Sequence, residues 1–187
     1  MLDKFKKNLI LKLGRQPVTN QFTKKYKKNI KKYDLTIIQE KDTGLIKIHK
    51  PFPNYSLIPN VDWIVYNEPE DHLDNLYSLI KKKYINKNSK ILGLTYKDLT
   101  LVKRFENNNS FSNILHPIKD LGLKKNEGIE TIQRSLTQKK INTILDKYGR
   151  QDLLIIRHLW EHVYDLEKFT FFIKQLINLD GYILFEV

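Results

Sequence analysis

Two histidines and a glutamate lie within one short stretch of the chain, RHLWEHVYDL, at His158, Glu161 and His162. Histidine is the side chain that most often transfers protons near neutral pH, and paired histidines also bind zinc. The zinc-protease pattern is H-E-x-x-H, whereas the order here is H-L-W-E-H, so the glutamate is misplaced for that site. Two interpretations remain open: an acid/base cluster, or a rim that shapes a pocket and caps the next helix.

The elements around this stretch alternate between strands and helices. Apolar runs predict strands in SKILGLTY, SNILHP, GIETIQ, DLLIIR and YILFEV, and helical spacing predicts helices in NEPEDHLDNLYSLIKKKYI, DLTLVKRFE, LTQKKINTILDKYG and LEKFTFFIKQLINLDG. This alternation predicts an α/β fold with a mostly parallel, doubly wound sheet. Ligands of such sheets bind beyond the carboxyl ends of the strands, where the strand order reverses. RHLWEH directly follows the strand DLLIIR and therefore belongs to that rim.

The first sixty residues have a different character. Residues 35–38 and 45–49 read as two short strands joined by a turn at residues 41–44, which predicts a β-hairpin. The next stretch, PFPNYSLIPN, is rich in proline and typical of an extended linker. We therefore predict a small basic module over residues 1–60 and an α/β domain over residues 61–187.

Composition limits the class of protein. The chain has 187 residues, a formal net charge of +12 and no cysteine, so disulfides and thiolate metal ligands are excluded. It has no apolar run of membrane-spanning length and no secretory cleavage site, and we expect a cytoplasmic protein. Residues 1–50 contain 14 Lys and Arg against 4 Asp and Glu. Such an excess attracts nucleic acid, anionic membranes or phosphorylated substrates, and it equally fits a general lysine bias.

Several stretches resemble one enzyme superfamily. IIRHLWEHVYDLEKFTFFIKQLINLDGYILFEV resembles the region from the fourth to the fifth strand of class I S-adenosylmethionine-dependent methyltransferases. LGRQPVTNQF, YDLTIIQEKDTGLIKI and KYGRQDLLIIRHLWEH are similar to the sugar C-methyltransferases within it, so the resemblance covers nearly the whole chain. It implies a Rossmann-like methyltransferase sheet, S-adenosylmethionine as cofactor, and a nucleotide-linked sugar or related small molecule as substrate.

The resemblance also implies where the cofactor binds. The matching residues are Gly93, Leu94, Thr95, Asp98, His116, Gln133, Arg157 and His158. In the family, the loop after the first strand of the sheet has the form E-x-G-x-x-x-G, whose glycines allow the backbone to approach the cofactor closely. Gly93, Thr95 and Leu99 stand where the family has the acid and the two glycines, and His116 stands where it has the ribose-binding acid.

The same resemblance indicates catalytic residues. Methyl transfer depends mainly on alignment of the reacting groups, and transfer to a carbon atom also requires a base. The candidates are Glu161 and His162 on the rim and Tyr66 before the first helix of the α/β domain. Each also has a purely structural explanation, as a helix cap, a surface histidine or a packing tyrosine.

Departures from the family pattern leave other functions open. Glu40 and Thr43 stand where the family's amino-terminal module has two zinc-binding cysteines, so no zinc or other metal is expected. The chain stops at Val187, where the family's sheet continues, which predicts a fragment, a natural truncation or a partner chain that completes the sheet. The main alternative to an active enzyme is a catalytically degenerate methyltransferase-like scaffold that associates with another protein. Nucleic acid binding by residues 1–50 is a third hypothesis, but it has no recognised motif, and neither a nucleic acid nor a membrane partner is expected.

Overall fold

The computed structural model describes residues 7–18, 22–27, 29–58, 69–106, 111–124 and 127–187. The chain divides into two compact units, Met1–Trp63 and Ile64–Val187. The first unit contains an antiparallel sheet and the second a parallel sheet. No helix within the described ranges is long and apolar enough to cross a membrane.

The first unit is built on three antiparallel strands followed by one helical turn. Its elements are β1 (Lys7–Pro17), β2 (Lys32–Glu40), β3 (Ile46–Ile48) and α1 (Asn54–Leu57), and the strands lie in the order β1-β2-β3. The predicted hairpin is confirmed as β2 and β3. The sequence pattern does not predict β1, because three consecutive apolar residues at positions 9–11 hide the alternation that identifies a strand.

The second unit is a mixed α/β structure in which helices flank a four-stranded parallel sheet, and it is compatible with a Rossmann-like fold. Its strands are β4 (Lys90–Gly93), β5 (Phe111–Ile114), β6 (Gln151–Arg157) and β7 (Ile177–Glu186); its helices are α2 (His72–Lys83), α3 (Leu99–Glu106), α4 (Ile129–Ser135), α5 (Gln138–Tyr148) and α6 (Leu166–Gln175). The strand order is β5-β4-β6-β7, and each neighbouring pair is parallel. The predicted α/β class with a parallel sheet is therefore confirmed.

The strand β6 takes part in two hydrophobic cores, one on each face of the sheet. Leu153 and Ile155 pack with buried residues of α2 and α3, whereas Leu154 and Ile156 pack with buried residues of α4, α5 and α6. Successive side chains of a strand point to opposite faces, which is why a strand buried on both faces has an uninterrupted apolar run. This two-sided packing fixes the position of the residues that follow β6.

The segment GIETIQ, predicted as a strand, forms the helix α4 instead. Ile129 and Ile132 are both buried, and their separation of three residues matches one face of a helix. Thr131 Oγ1 donates to the Gly128 carbonyl at 2.8 Å in the first turn. The β-branched residues favour a strand by local propensity, but packing against the core overrides that preference. The described sheet therefore has four strands, one fewer than the sequence predicts.

The last helix is shorter than predicted. The pattern LEKFTFFIKQLINLDG predicts a helix to residue 181, whereas α6 ends at Gln175 and β7 begins at Ile177. Residues 178–181 then bulge out of the ladder between β6 and β7. Gly181 lies in this bulge, where an added Cβ would be 2.9 Å from the carbonyl oxygen of Gln151. A bulge of this kind follows from strand pairing and has no periodic signal in the sequence.

Candidate functional site

The strand order of the parallel sheet reverses between β4 and β6. From β4 the chain runs to β5 on one side and later to β6 on the other, which makes this pair the topological switch point. In open α/β sheets, ligands bind in the crevice beyond the carboxyl ends of the strands at such a point. Residues 94–98 follow β4, and Arg157 and His158 lie at the end of β6, so most of the predicted cofactor residues meet here.

Asp98 joins the two loops at the switch point. Its Oδ2 accepts a hydrogen bond from the backbone N–H of Thr95 at 2.6 Å, and its Oδ1 accepts one from the backbone N–H of Arg157 at 2.7 Å. Thr95 Oγ1 accepts from the backbone N–H of Lys97 at 3.1 Å, which completes a capping box around a 3₁₀ turn, Tyr96–Asp98. Asp98 is therefore a structural link between the ends of β4 and β6.

Burial dominates the electrostatics of this link. The Asp98 side chain has no exposed surface. Loss of solvation raises the pKa of Asp98 to about 7, although the backbone hydrogen bonds from Thr95 and Arg157 favour the charged form. The carboxyl group therefore changes its charge near neutral pH while it remains inside the protein.

Gly93 leaves the space that Asp98 fills. A Cβ added at Gly93 would lie 2.8 Å from Asp98 Cβ and 3.0 Å from Val102 Cγ2. Separations of this size are too short for carbon atoms that are not bonded to each other. The following residues, Leu94 and Thr95, are 1% and 2% exposed. The space left by the missing side chain at Gly93 is thus occupied by the Asp98 side chain and is not open to a ligand.

Arg157 places a buried cation beyond the end of β6. Its Nε and Nη2 donate to the two carboxylate oxygens of Glu186, at 2.8 and 3.3 Å. Its Nη1 donates to Glu70 Oε1 at 3.1 Å, to Thr100 Oγ1 at 3.1 Å and to the carbonyl oxygen of Lys97 at 2.6 Å. The Arg157 side chain is 2% exposed. A buried guanidinium is stable only when such partners offset its lost hydration, so this network holds Arg157 in place.

His158 lies beside this network and reaches the surface. Its backbone has a positive φ of 51°, and its N–H donates to the Glu186 carbonyl at 2.8 Å. The ring lies between two carboxylates, with Nε2 3.3 Å from Glu186 Oε1 and Nδ1 3.8 Å from Glu161 Oε1. His72 Nε2 is also 3.3 Å from that Glu186 oxygen. A carboxylate beside an imidazole is the arrangement that orients a histidine for proton transfer.

Glu186 is charged at neutral pH. Burial alone would raise its pKa, but hydrogen bonds from Arg157 and His72 and the nearby His158 hold the pKa of Glu186 below its usual range. Its two oxygens therefore accept hydrogen bonds from the buried guanidinium and His72 and form an ion pair with a protonated His158.

Gln133 attaches the loop that carries Glu161 and His162 to α4. Its Nε2 donates to the His162 carbonyl, and its Oε1 accepts from the backbone N–H of Tyr164 at 2.7 Å. The loop begins with a second 3₁₀ turn, Trp160–His162. Gln133 thus has a clear structural role, because it holds the backbone of the segment that follows Glu161.

His116 caps a turn after β5. Its Nδ1 accepts from the backbone N–H groups of Ile118 and Lys119, each at 3.2 Å, and its own backbone N–H donates to Asp120 Oδ2 at 2.8 Å. Acceptance at Nδ1 places the proton of the neutral ring on Nε2. His116 is exposed and stays accessible to a ligand, unlike Asp98 and Arg157 at the switch point.

Most of the switch-point residues predicted to hold S-adenosylmethionine are inaccessible to that group in this conformation. Leu94, Thr95, Asp98 and Arg157 are at most 2% exposed. The polar groups among them are bonded to each other or to neighbouring residues. A ligand in the crevice would have to displace either the Asp98 link or the Arg157 network.

Sequence reasoning misses four members of this network: Glu70, His72, Thr100 and Glu186. Glu186 is the one with a readable signal, because it is a charged residue at the carboxyl end of a predicted strand. Of the others, His72 belongs to α2, Thr100 belongs to α3, and Glu70 lies two residues before α2. Only the sheet order brings them together. Tyr66, a predicted catalytic residue, lies outside the described residues. Within the described ranges, no group of three or more His, Asp or Glu side chains is placed to hold a metal ion.

Comparison with known proteins gives no relative for this site. No model of a known protein family matches the chain, and a search of curated proteins finds no match either.

Proposed function

We propose that the unit Ile64–Val187 is a methyltransferase-like scaffold that has lost cofactor binding and works by associating with another protein. The observation that carries this proposal is the closed switch point. Asp98 and Arg157 lie in the crevice where a ligand of such a sheet would bind, and both are buried. The resemblance of its sequence to methyltransferases supports the origin of the scaffold, and the filled crevice supports the loss of the activity.

The closed crevice carries an energetic penalty for any ligand. Separating a buried charge from its partner costs about 3–5 kcal/mol, which corresponds to a loss of about two to four orders of magnitude in affinity. Binding of S-adenosylmethionine next to Arg157 would require that cost, because the guanidinium has partners on all three nitrogens. A micromolar cofactor site would thus become a site with a dissociation constant of about 0.1 to 10 mM.

The surface proposed for association is the outer edge of β7. This strand has one described neighbour, β6, and its backbone therefore presents an edge on the other side. Leu179, Tyr182 and Phe185 on β7 are 100%, 46% and 41% exposed. Unpaired strand edges with apolar side chains pair readily with other strands. We propose a partner chain that adds a strand here and completes the sheet.

A second candidate function is an active S-adenosylmethionine-dependent methyltransferase in the cytoplasm that acts on a nucleotide-linked sugar. The observation that favours it is His158, whose accessible ring lies between Glu186 and Glu161. In this hypothesis Glu186 orients the imidazole, and the imidazole removes a proton from the carbon next to a carbonyl group of the sugar. Glu161, His162 and Tyr66 remain the other proposed catalytic residues.

Calorimetric titration of the 187-residue chain with S-adenosylmethionine and with S-adenosylhomocysteine separates the two candidates. We expect no binding tighter than about 0.1 mM from a protein that unfolds cooperatively. Micromolar binding would overturn the scaffold proposal and establish the cofactor part of the second candidate. His158→Gln should then lower turnover without lowering the affinity for the cofactor, because His158 would act on the sugar.

Sedimentation velocity and the fluorescence of a hydrophobic dye test the association. The scaffold proposal expects self-association or binding of a hydrophobic dye at the exposed strand. Tyr182→Lys with Phe185→Lys should abolish either signal, and Leu9→Lys in the first unit is the matched control for an exposed apolar residue. A monomer that binds no dye would contradict association through β7.

A further inference from the structure

The first unit contains a pocket that the proposed function does not use. It encloses about 270 Å³ beside the start of β2, and its lining includes Thr23, Lys27, Lys31, Tyr33 and Tyr55. We call it the Lys31 pocket. Its volume lies just below the usual range for ligand sites, about 300 to 1,000 Å³, which suits one small polar molecule or one unit of a larger chain.

Two tyrosines hold the ammonium group of Lys31 in this pocket. Lys31 Nζ donates to Tyr55 Oη at 2.9 Å, and it lies 5.1 Å from the centre of the Tyr55 ring and 5.4 Å from the centre of the Tyr33 ring. Hydrogen bonds with Tyr55 and Tyr33 raise the pKa of Lys31, so the group stays charged throughout the neutral range. The pocket therefore has a fixed positive charge against an aromatic wall.

The charge of the pocket calls for an anionic ligand. Lys27 and Lys31 both line it, and none of its described lining residues is an aspartate or a glutamate. The described partners of the Lys31 ammonium group are phenols, which leave its charge uncompensated. A phosphate group is such a ligand, because it is negatively charged and accepts hydrogen bonds from lysine.

The aromatic side of the pocket favours a ligand that also contains a flat group. Tyr55 is 59% exposed, so its ring has surface available for a flat group. An exposed aromatic ring beside lysines is the combination with which proteins bind single-stranded nucleic acid, because bases stack on the ring and lysines contact the backbone. Lys24, Lys25 and Lys32 are exposed and extend the positive charge beyond the pocket, where further phosphates of a strand would lie.

We infer that the Lys31 pocket binds one nucleotide of a single-stranded nucleic acid, with a phosphate against Lys27 and Lys31 and a base stacked on Tyr55. The neighbouring lysines favour a strand over a free nucleotide, because a mononucleotide has no phosphates to place on them. This site is independent of the switch point in the second unit and of any cofactor there.

Fluorescence anisotropy of a short labelled oligouridine and a short labelled oligothymidine, titrated with the full chain at low and at physiological salt, tests the inference. Tyr55→Leu should weaken binding about fivefold or more, which is the effect of removing one stacking contact. Tyr26→Leu is the matched control, because Tyr26 is 91% exposed and does not line the pocket. Equal effects of the two variants would overturn the inference.

Lysine variants separate the pocket from general charge. Lys31→Gln should lower the affinity about threefold or more at physiological salt and reduce its salt dependence, since one phosphate contact is lost. Lys41→Gln, in the turn between β2 and β3, removes the same charge outside the pocket and should change the affinity much less. Equal losses would mean that the chain binds nucleic acid by net charge alone, and the inference would fail.

A further variant and a competitor complete the test. Tyr55→Phe keeps the ring and removes the hydroxyl group that holds Lys31, so it should retain most of the stacking contribution. The melting temperatures of all variants are measured alongside and compared with that of the original chain. If Tyr55→Leu does not fold, Tyr55→Phe still tests the contribution of the hydroxyl group while the aromatic ring is kept. If uridine monophosphate competed as well as the oligonucleotide, the ligand would be a free nucleotide, and the inference of a single-stranded nucleic acid would be overturned.

Discussion

Two cations of the protein, Arg157 and Lys31, have different kinds of partner. At the switch point, Arg157 is 2% exposed and forms hydrogen bonds with Glu186 and Glu70. In the Lys31 pocket, the ammonium group is exposed and its described partners are phenol side chains. The first cation is neutralised within the fold, whereas the second remains available to an external anion. Residue type alone therefore does not identify a binding site, because the balance of charge around it decides.

Removal of Arg157 should have the largest effect on stability. Arg157→Ala would leave Glu186 and Glu70 without their cation and open a cavity, and we expect a loss of about 3–5 kcal/mol in the free energy of unfolding. Urea denaturation measures it. Arg104→Ala is the control: Arg104 forms an ion pair with the exposed Asp74, and its loss should cost about 1 kcal/mol or less. Similar costs for both variants would contradict the contrast between buried and exposed charge.

The pH dependence of stability should follow Asp98. Its pKa is raised from 3.8 to about 7 by burial, so between these values the folded protein keeps a proton that the unfolded chain has released. The free energy of unfolding should therefore fall as pH rises from about 4 to about 7, by at most about 1.4 kcal/mol per pH unit, and level off above that. Urea midpoints across this range measure the slope.

Asp98→Asn should remove this part of the slope, since the amide does not titrate. Asp74→Asn should retain it, because Asp74 is an exposed carboxylate of α2. The same slope in the original chain and in Asp98→Asn would show that another group controls the pH response.

A smaller loss is expected from Gly93→Ala. The new Cβ would lie 2.8 Å from Asp98 Cβ, so the link between β4 and β6 has to shift. Overpacking of this kind costs about 1–3 kcal/mol, measurable by thermal or urea unfolding. If Gly93→Ala were as stable as the original chain, the crevice would have space for the added methyl group, which would contradict a closed switch point.

The smallest effect on stability is expected in the Lys31 pocket. Lys31→Gln changes an exposed side chain, so the free energy of unfolding should stay within about 0.5 kcal/mol of the original value. Urea unfolding checks this. A large loss would place Lys31 with Arg157, as a residue that the fold requires, and the comparison between the two cations would fail.

The fold was more accessible from the sequence than the site was. Strong periodicity in residues such as Leu73 and Ile80 of α2, and the apolar run of β6, predict the α/β class correctly, because these patterns reflect the core directly. The strand predicted at GIETIQ was wrong, because packing of Ile129 and Ile132 decides between helix and strand there. Local propensity contains no information about that packing.

The site was less predictable for a different reason. The stretch RHLWEH correctly places Arg157 and His158 at the rim, since this requires only the end of one strand. The partners Glu70, His72 and Glu186 come from distant parts of the chain. Only the strand order joins them, and the sequence gives no direct measure of which carboxylates neutralise which cation.

The shared strand β6 also determines how the second unit comes apart. Because Leu153 and Ile155 belong to one core and Leu154 and Ile156 to the other, loss of either core removes half of the packing of β6. The two helical layers should therefore unfold together as one cooperative unit. In native-state hydrogen exchange, the amides of β6 should be among the slowest and should exchange only through global unfolding.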